Sequence, residues 1–147
     1  MNWQANLITS DADIRALIAQ TKRIAVLGIR TERLADQPVY AVPAYLARAG
    51  LEIIPVPVYE RHVQSILGQR VYLSLAEIPG PIDLVDVFRR SEDIEQHVDD
   101  MLTKRPKAVW FQLGIRNDAI AARLAQAGIL VVQDRCLMVE HRRALRS

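Results

Sequence analysis

A single cysteine, Cys136, is all the thiol chemistry in this 147-residue chain. That count excludes an intramolecular disulfide and any zinc site built from clustered cysteines, and it fits a reducing compartment. Long apolar runs are also missing: nothing approaches the roughly 18 consecutive apolar residues of a membrane-crossing helix. The first residues, MNWQANLITSDADI, show no basic start followed by an apolar stretch, so no secretory signal is visible. A cytoplasmic protein without a membrane partner is expected. Neither sign of charge dominates, since 19 Lys+Arg against 17 Asp+Glu leave a formal net charge of +2. No Lys/Arg block is interleaved with aromatic residues, and a nucleic-acid partner is not expected. Glycine is sparse as well. After Gly28 nothing completes a Gly-x-Gly-x-x-Gly turn, as Gly50 is the next glycine in the chain.

What is present reads as one folded domain over residues 1–147, with 50% hydrophobic and 24% charged residues. Short continuous apolar runs at 24–27, 52–56, 84–88, 108–111 and 130–132 suit strands buried on both faces of a parallel sheet. Helical spacing alternates with them. Ser10-Asp11 offers a cap for a helix over 11–20, with Ile14, Leu17 and Ile18 on one side. Val39, Val42, Leu46 and Ala49 share a face that ends at Gly50. Because Pro43 disfavours a helix interior, this helix is expected to start near Tyr40, with the proline in its first turn. Ser91 is positioned to cap a helix carrying Ile94, Val98, Met101 and Leu102. Asn117 is positioned to open another, with Ile120, Ala121 and Leu124 inside and Gly128 at its end. Over 59–81 the pattern is weaker: a turn at 67–70 and a short helix at 75–78 ended by Pro79. The alternation gives an α/β domain with a mainly parallel sheet.

Open parallel sheets bind ligands beyond the carboxyl ends of their strands. The first strand runs into Gly28-Ile29-Arg30-Thr31-Glu32-Arg33, the third into Val87-Phe88-Arg89-Arg90, the fourth into Gln112-Leu113-Gly114-Ile115-Arg116, and the fifth into Gln133-Asp134-Arg135-Cys136. The second ends at 55–59, with Arg61 further on. Arginines gathered at one sheet edge match phosphate geometry and stay charged, and the helix start near Val39 and Tyr40 adds positive potential. The second strand ends in IIPVPVY, without the acid that accepts ribose hydroxyls in nicotinamide dinucleotide sites. An adenine nucleotide with several phosphates, held by arginines, is the ligand these features favour.

The segments IAVLGIR, VPAYLARAGLEIIPV, LGQRVYLSLAEIP, DLVDVFRR, AVWFQLGIRN and VVQDRCLMVEH together resemble the small single-domain CoA-binding proteins. These share a Rossmann-like fold with the CoA-binding domain of the succinyl-CoA synthetase α subunit. The resemblance spans about 22–141 and implies a doubly wound, mainly parallel five-stranded sheet with helices on both faces. It further implies that coenzyme A or an acyl-CoA is the ligand. Gly28, Ile29, Arg30, Thr31 and Arg33 would then meet phosphates, helped by Val39 and Tyr40. Val56 and Pro57 would flank the adenosine, with Val87, Phe88 and Arg89 as the opposite wall, and Gln112, Leu113 and Gly114 would follow the pantetheine arm. Members commonly carry Asn-Pro after the second strand, whereas this chain reads Val56-Pro57, so the amide is lost. The loop RTERLADQP also lacks the usual Ala-Ser after the glycine, a gap for Arg30 or Arg33 to fill.

The synthetase catalyses with a phosphohistidine in a further domain that has no counterpart in these residues. His97 is expected on a solvated helix side, His62 lies in the weak segment, and His141 beside Glu140 reads as a surface pair. Cys136, next to Arg135, is the one candidate nucleophile, with a buried structural cysteine as the plainer role. The sequence is therefore read as a binding or sensing module rather than an enzyme. The alternatives are Cys136 chemistry on CoA thioesters or disulfides and, more remotely, a nicotinamide-dependent oxidoreductase.

Overall fold

The computed structural model describes residues 2–146. In chain order its elements are α1 (Asp11–Ala19), β1 (Arg23–Leu27), α2 (Pro38–Arg48), β2 (Glu52–Val56), β3 (Ser65–Ile66), β4 (Gln69–Arg70), β5 (Leu84–Val87), α3 (Val98–Lys104), β6 (Ala108–Phe111), α4 (Asp118–Gln126), β7 (Leu130–Val132) and α5 (Leu137–Leu145). Five strands form one parallel sheet in the order β2-β1-β5-β6-β7.

Side chains alternate across this sheet, as strand geometry requires. Ile24, Val26, Leu84 and Trp110 face α1, α2 and α5, whereas Ala25, Leu27, Val85, Val87 and Phe111 face α3 and α4. Both faces are covered, which explains the uninterrupted apolar runs. Pro55 is tolerated inside β2 because that strand lies at the sheet edge. The opposite edge, β7, is met by the chain start, where Leu7 bridges Val131 and the Ile8 amide donates to the Val131 carbonyl at 2.8 Å. Among the described residues no helix is long and apolar enough to cross a membrane.

Local chemistry fixes the helix starts. The Ser10 hydroxyl accepts from the Asp13 amide, and Asn117 accepts from the Ile120 amide. Helix α2 instead begins on Pro38, so Pro43 sits inside it rather than in its first turn. Pro43 gives no amide hydrogen to the Val39 carbonyl, a loss offset by its burial. Ser91 opens no α-helix. Its hydroxyl donates to the Arg116 carbonyl at 2.7 Å, and two 3₁₀ turns precede the shorter α3.

Two further elements differ from the sequence pattern. The segment after β2 is a small hairpin, β3-β4, whose Leu67-Gly68 connection takes positive φ at both residues. Residues 75–78 make a single turn, not a helix, pinned where the Asp100 carboxylate accepts from the Leu75 and Ala76 amides at 2.6 and 2.9 Å. Helix α5 was not expected at all, since it buries Glu140 and His141 along with Leu137.

The connection from β1 leads outward to β2, and the chain then returns across β1 to β5. The strand order thus reverses between β1 and β5, and a crevice opens beyond their carboxyl ends.

Candidate functional site

Gly28 ends β1 with φ +91°, and a Cβ there would lie 2.5 Å from the Phe88 carbonyl oxygen. The Phe88 amide donates to the Leu27 carbonyl at 2.9 Å, so β1 and β5 stay paired up to the crevice floor. Val39, Phe88, Arg89 and Gly114 come together here, around a cavity of about 500 Å³ shared with Arg90, Ser91, Glu92 and Ile115, the Glu92 carboxylate standing 3.6 Å from Arg90. Helix α2 points its first turn at this cavity through Val39, without a side-chain cap.

Arg89 dominates the crevice. It is 7% exposed, donates from Nη1 to the Tyr59 hydroxyl at 3.1 Å and from Nε to His97 Nε2 at 3.2 Å. Both acceptors are neutral, and among the described residues no carboxylate pairs with this guanidinium. A buried cation of that kind is costly unless an anion joins it. His97 is therefore half-buried beside Arg89 rather than on a solvated face. Burial, reinforced by the Arg89 charge, lowers its pKa below 6.5.

Arg30, Thr31 and Arg33 form a second group, gathered on a residue the sequence reading did not single out. Glu60 accepts from Arg30 Nε at 2.9 Å, from the Thr31 amide at 3.2 Å and from the Thr31 hydroxyl at 2.9 Å. Arg33 Nη2 stands 3.6 Å from the same carboxylate. The Arg30 hydrogen bond, opposed by desolvation and aided by Thr31, brings the Glu60 carboxyl down from 4.5 to about 2. Tyr59 links the two groups: its ring, 61% exposed, has the Arg30 guanidinium 5.0 Å and the Arg89 guanidinium 5.5 Å from its centroid. Tyr59 and Glu60 lie just past β2, in the irregular stretch that follows it.

Other expected positions serve the core. Ile29 is fully buried beneath α1, α2 and α5, and Tyr40 packs against the same layer. Val56 and Val87 point into the α3/α4 layer and Pro57 is buried, and none of the three lines the cavity. Gln112 is buried too, accepting from the Leu137 amide at 3.2 Å at the start of α5. Leu113 is 67% exposed and stands on the lip of a separate cavity of about 790 Å³, beside Cys136 and Arg116. Cys136 is half-buried rather than buried. Arg135 turns its charge away, onto Asp11, Glu140 and the Thr9 carbonyl.

His62 is exposed. His141 is buried, with Nδ1 2.8 Å from the Tyr45 hydroxyl, and desolvation lowers its pKa. Both His97 and His141 bind protons more weakly in the fold than in the unfolded chain. Stability is accordingly undiminished by them above about pH 6.5 and falls as the pH drops below it. Between about pH 5.5 and pH 7.5 we expect the melting midpoint of the wild type to gain more than that of His97→Gln, a comparison in which groups common to both proteins cancel. An identical pH dependence in the two proteins would contradict the burial of His97.

The arrangement defines a Rossmann-like α/β protein whose candidate site lies at the switch point of the sheet. Residues 22–142 match the CoA binding domain family, and the chain belongs to that family. The uncharacterized protein YneT of Bacillus subtilis (strain 168) is 36% identical over 132 residues, which cover 90% of this chain and 94% of that protein. The structure of cell-free ID.343 from Thermus thermophilus superposes with a TM-score of 0.85 at 39% identity, covering 92% of this chain and 99% of the other. A hypothetical protein from Pyrococcus horikoshii OT3 gives a TM-score of 0.82 at 31% identity, covering 93% of each chain.

Proposed function

We propose that this chain binds coenzyme A, or an acyl-CoA, beyond the carboxyl ends of β1 and β5, as a binding or sensing module without catalysis of its own. The observation that carries the reading is Arg89, a buried guanidinium with only neutral partners at the crevice wall. A ligand diphosphate between Arg89 and the uncapped first turn of α2 supplies the anion that the protein itself does not. In this reading the adenine ring lies against the half-buried Phe88 and the pantetheine arm leaves past Gly114, both of which line the cavity. Family membership supports the same ligand.

Titration calorimetry with CoA and with NAD, on the wild type and on Arg89→Met, tests this. Wild type is expected to prefer CoA. Arg89→Met is expected to lose about tenfold or more in affinity, since a charge-assisted hydrogen bond contributes roughly 1.5–3 kcal/mol. Its melting midpoint should hold or rise, because methionine removes a buried charge that no acid compensates. Equal CoA affinity in the two proteins, or a preference for NAD, would defeat the assignment.

A further inference from the structure

Four donor groups from the loop after β1 converge on one carboxylate. They are the Arg30 Nε, the Thr31 amide, the Thr31 hydroxyl and, more distantly, the Arg33 guanidinium. Guanidinium forks, a backbone amide and a hydroxyl turned to one point are the donor set that phosphoryl oxygens take. Here the point is filled by Glu60, whose side chain is only 14% exposed. Glu60 comes from an irregular stretch between β2 and β3, where the local backbone bonds are Arg61 to Tyr59 and Val63 to Glu60. Nothing in those two bonds ties the stretch to the sheet.

We propose that Glu60 is an internal surrogate for a ligand phosphoryl group, holding the loop of Arg30, Thr31 and Arg33 in its receiving form and leaving when the phosphoryl group arrives. The proposal rests on the CoA reading above and adds to it a residue that sets the affinity. Two anions cannot share these donors, because the carboxylate stays charged to about pH 2 and like charges at such distances repel strongly. Exchange is the arrangement that leaves no buried charge unpaired. Tyr59 carries the exchange to the other arginine: its ring contacts both Arg30 and Arg89, and it precedes Glu60 in the chain, so withdrawal of Glu60 also shifts the hydroxyl that accepts from Arg89. The opposite role, an acid that accepts ribose hydroxyls as in dinucleotide sites, would have Glu60 stay and contribute affinity.

The two roles predict changes of opposite sign. CoA titrations of wild type and Glu60→Gln at one ionic strength should give about three- to tenfold tighter binding in the variant, which keeps the shape and loses the competing charge. Unchanged or weaker binding by Glu60→Gln, with wild type binding CoA, overturns the surrogate alone. Binding by neither protein overturns the CoA reading and the surrogate with it. Hydrogen exchange on the wild type needs no variant. With CoA, amides at 28–31 should exchange more slowly and those at 59–63 faster. Slower exchange in both segments means that Glu60 remains in place, and the surrogate fails.

Discussion

Gly28→Ala should lower stability by about 3 kcal/mol, the sum of a left-handed backbone forced on alanine and a collision with main chain. The φ of +91° alone disfavours any Cβ, and the added atom would lie 2.5 Å from the Phe88 carbonyl oxygen. Backbone cannot swing aside as a long side chain does. Relief requires β1 and β5 to part at their carboxyl ends, and there the Phe88 amide still donates to the Leu27 carbonyl. Gly114 supplies the control: its φ is +85°, yet a Cβ there would meet nothing within 4 Å. Gly114→Ala should therefore lose only the backbone part, roughly 1–2 kcal/mol. For a chain of this length the Gly28 variant should melt roughly 10 °C lower, and circular-dichroism melts of both variants measure the difference. Equal losses would show that the strands yield and that no close approach is enforced. The glycine after β1 thus serves close strand approach at the switch point, where the polar loop that follows begins.

How much of this was legible in the sequence depended on which force fixed each element. The five strands were readable because burial on both faces leaves an unbroken apolar run. The starts of α1 and α4 were readable because their caps are side chains, Ser10 and Asn117. Helix α5 was not, because Glu140 and His141 are buried through polar partners: the nearby Arg135 and Arg143 for the acid, and Tyr45, remote in sequence, for the histidine. A hydrophobic period cannot register residues that are buried through polar pairing. The same limit applies at the site. Arg89 and Gly28 stand where the strand ends required. The engagement of Arg30 by Glu60 crosses from one strand end to another, and only the sheet order brings those two loops together. His97 was assigned a solvated face from helical spacing, but the 3₁₀ turns before α3 rotate it onto Arg89.

Asp86→Val should raise stability by about 1–3 kcal/mol at neutral pH, the cost of a buried polar group left without a partner. Asp86 is fully buried in β5, in register between Val26 and Trp110, and neither carboxyl oxygen meets a donor. It shares the sheet face of Leu84, so its surroundings are the apolar layer under α1, α2 and α5. Burial raises its pKa well above 3.8, and the folded chain holds a proton that the unfolded chain releases. The sign follows directly: the folded state binds more protons above pH 3.8, so stability falls as the pH rises through that range. The histidines act in the opposite direction below about pH 6.5, which would mask the effect in the wild type taken alone. The difference between wild type and variant cancels them, since both proteins keep His97 and His141. That difference should widen as the pH rises above about 4, and Asp86→Asn should remove the pH-dependent part while keeping an unpaired polar group. Valine also suits a central strand, where a branched side chain packs on both neighbours. A lower melting midpoint for Asp86→Val would mean that the carboxyl group is hydrogen-bonded in solution and holds β5 to its neighbours.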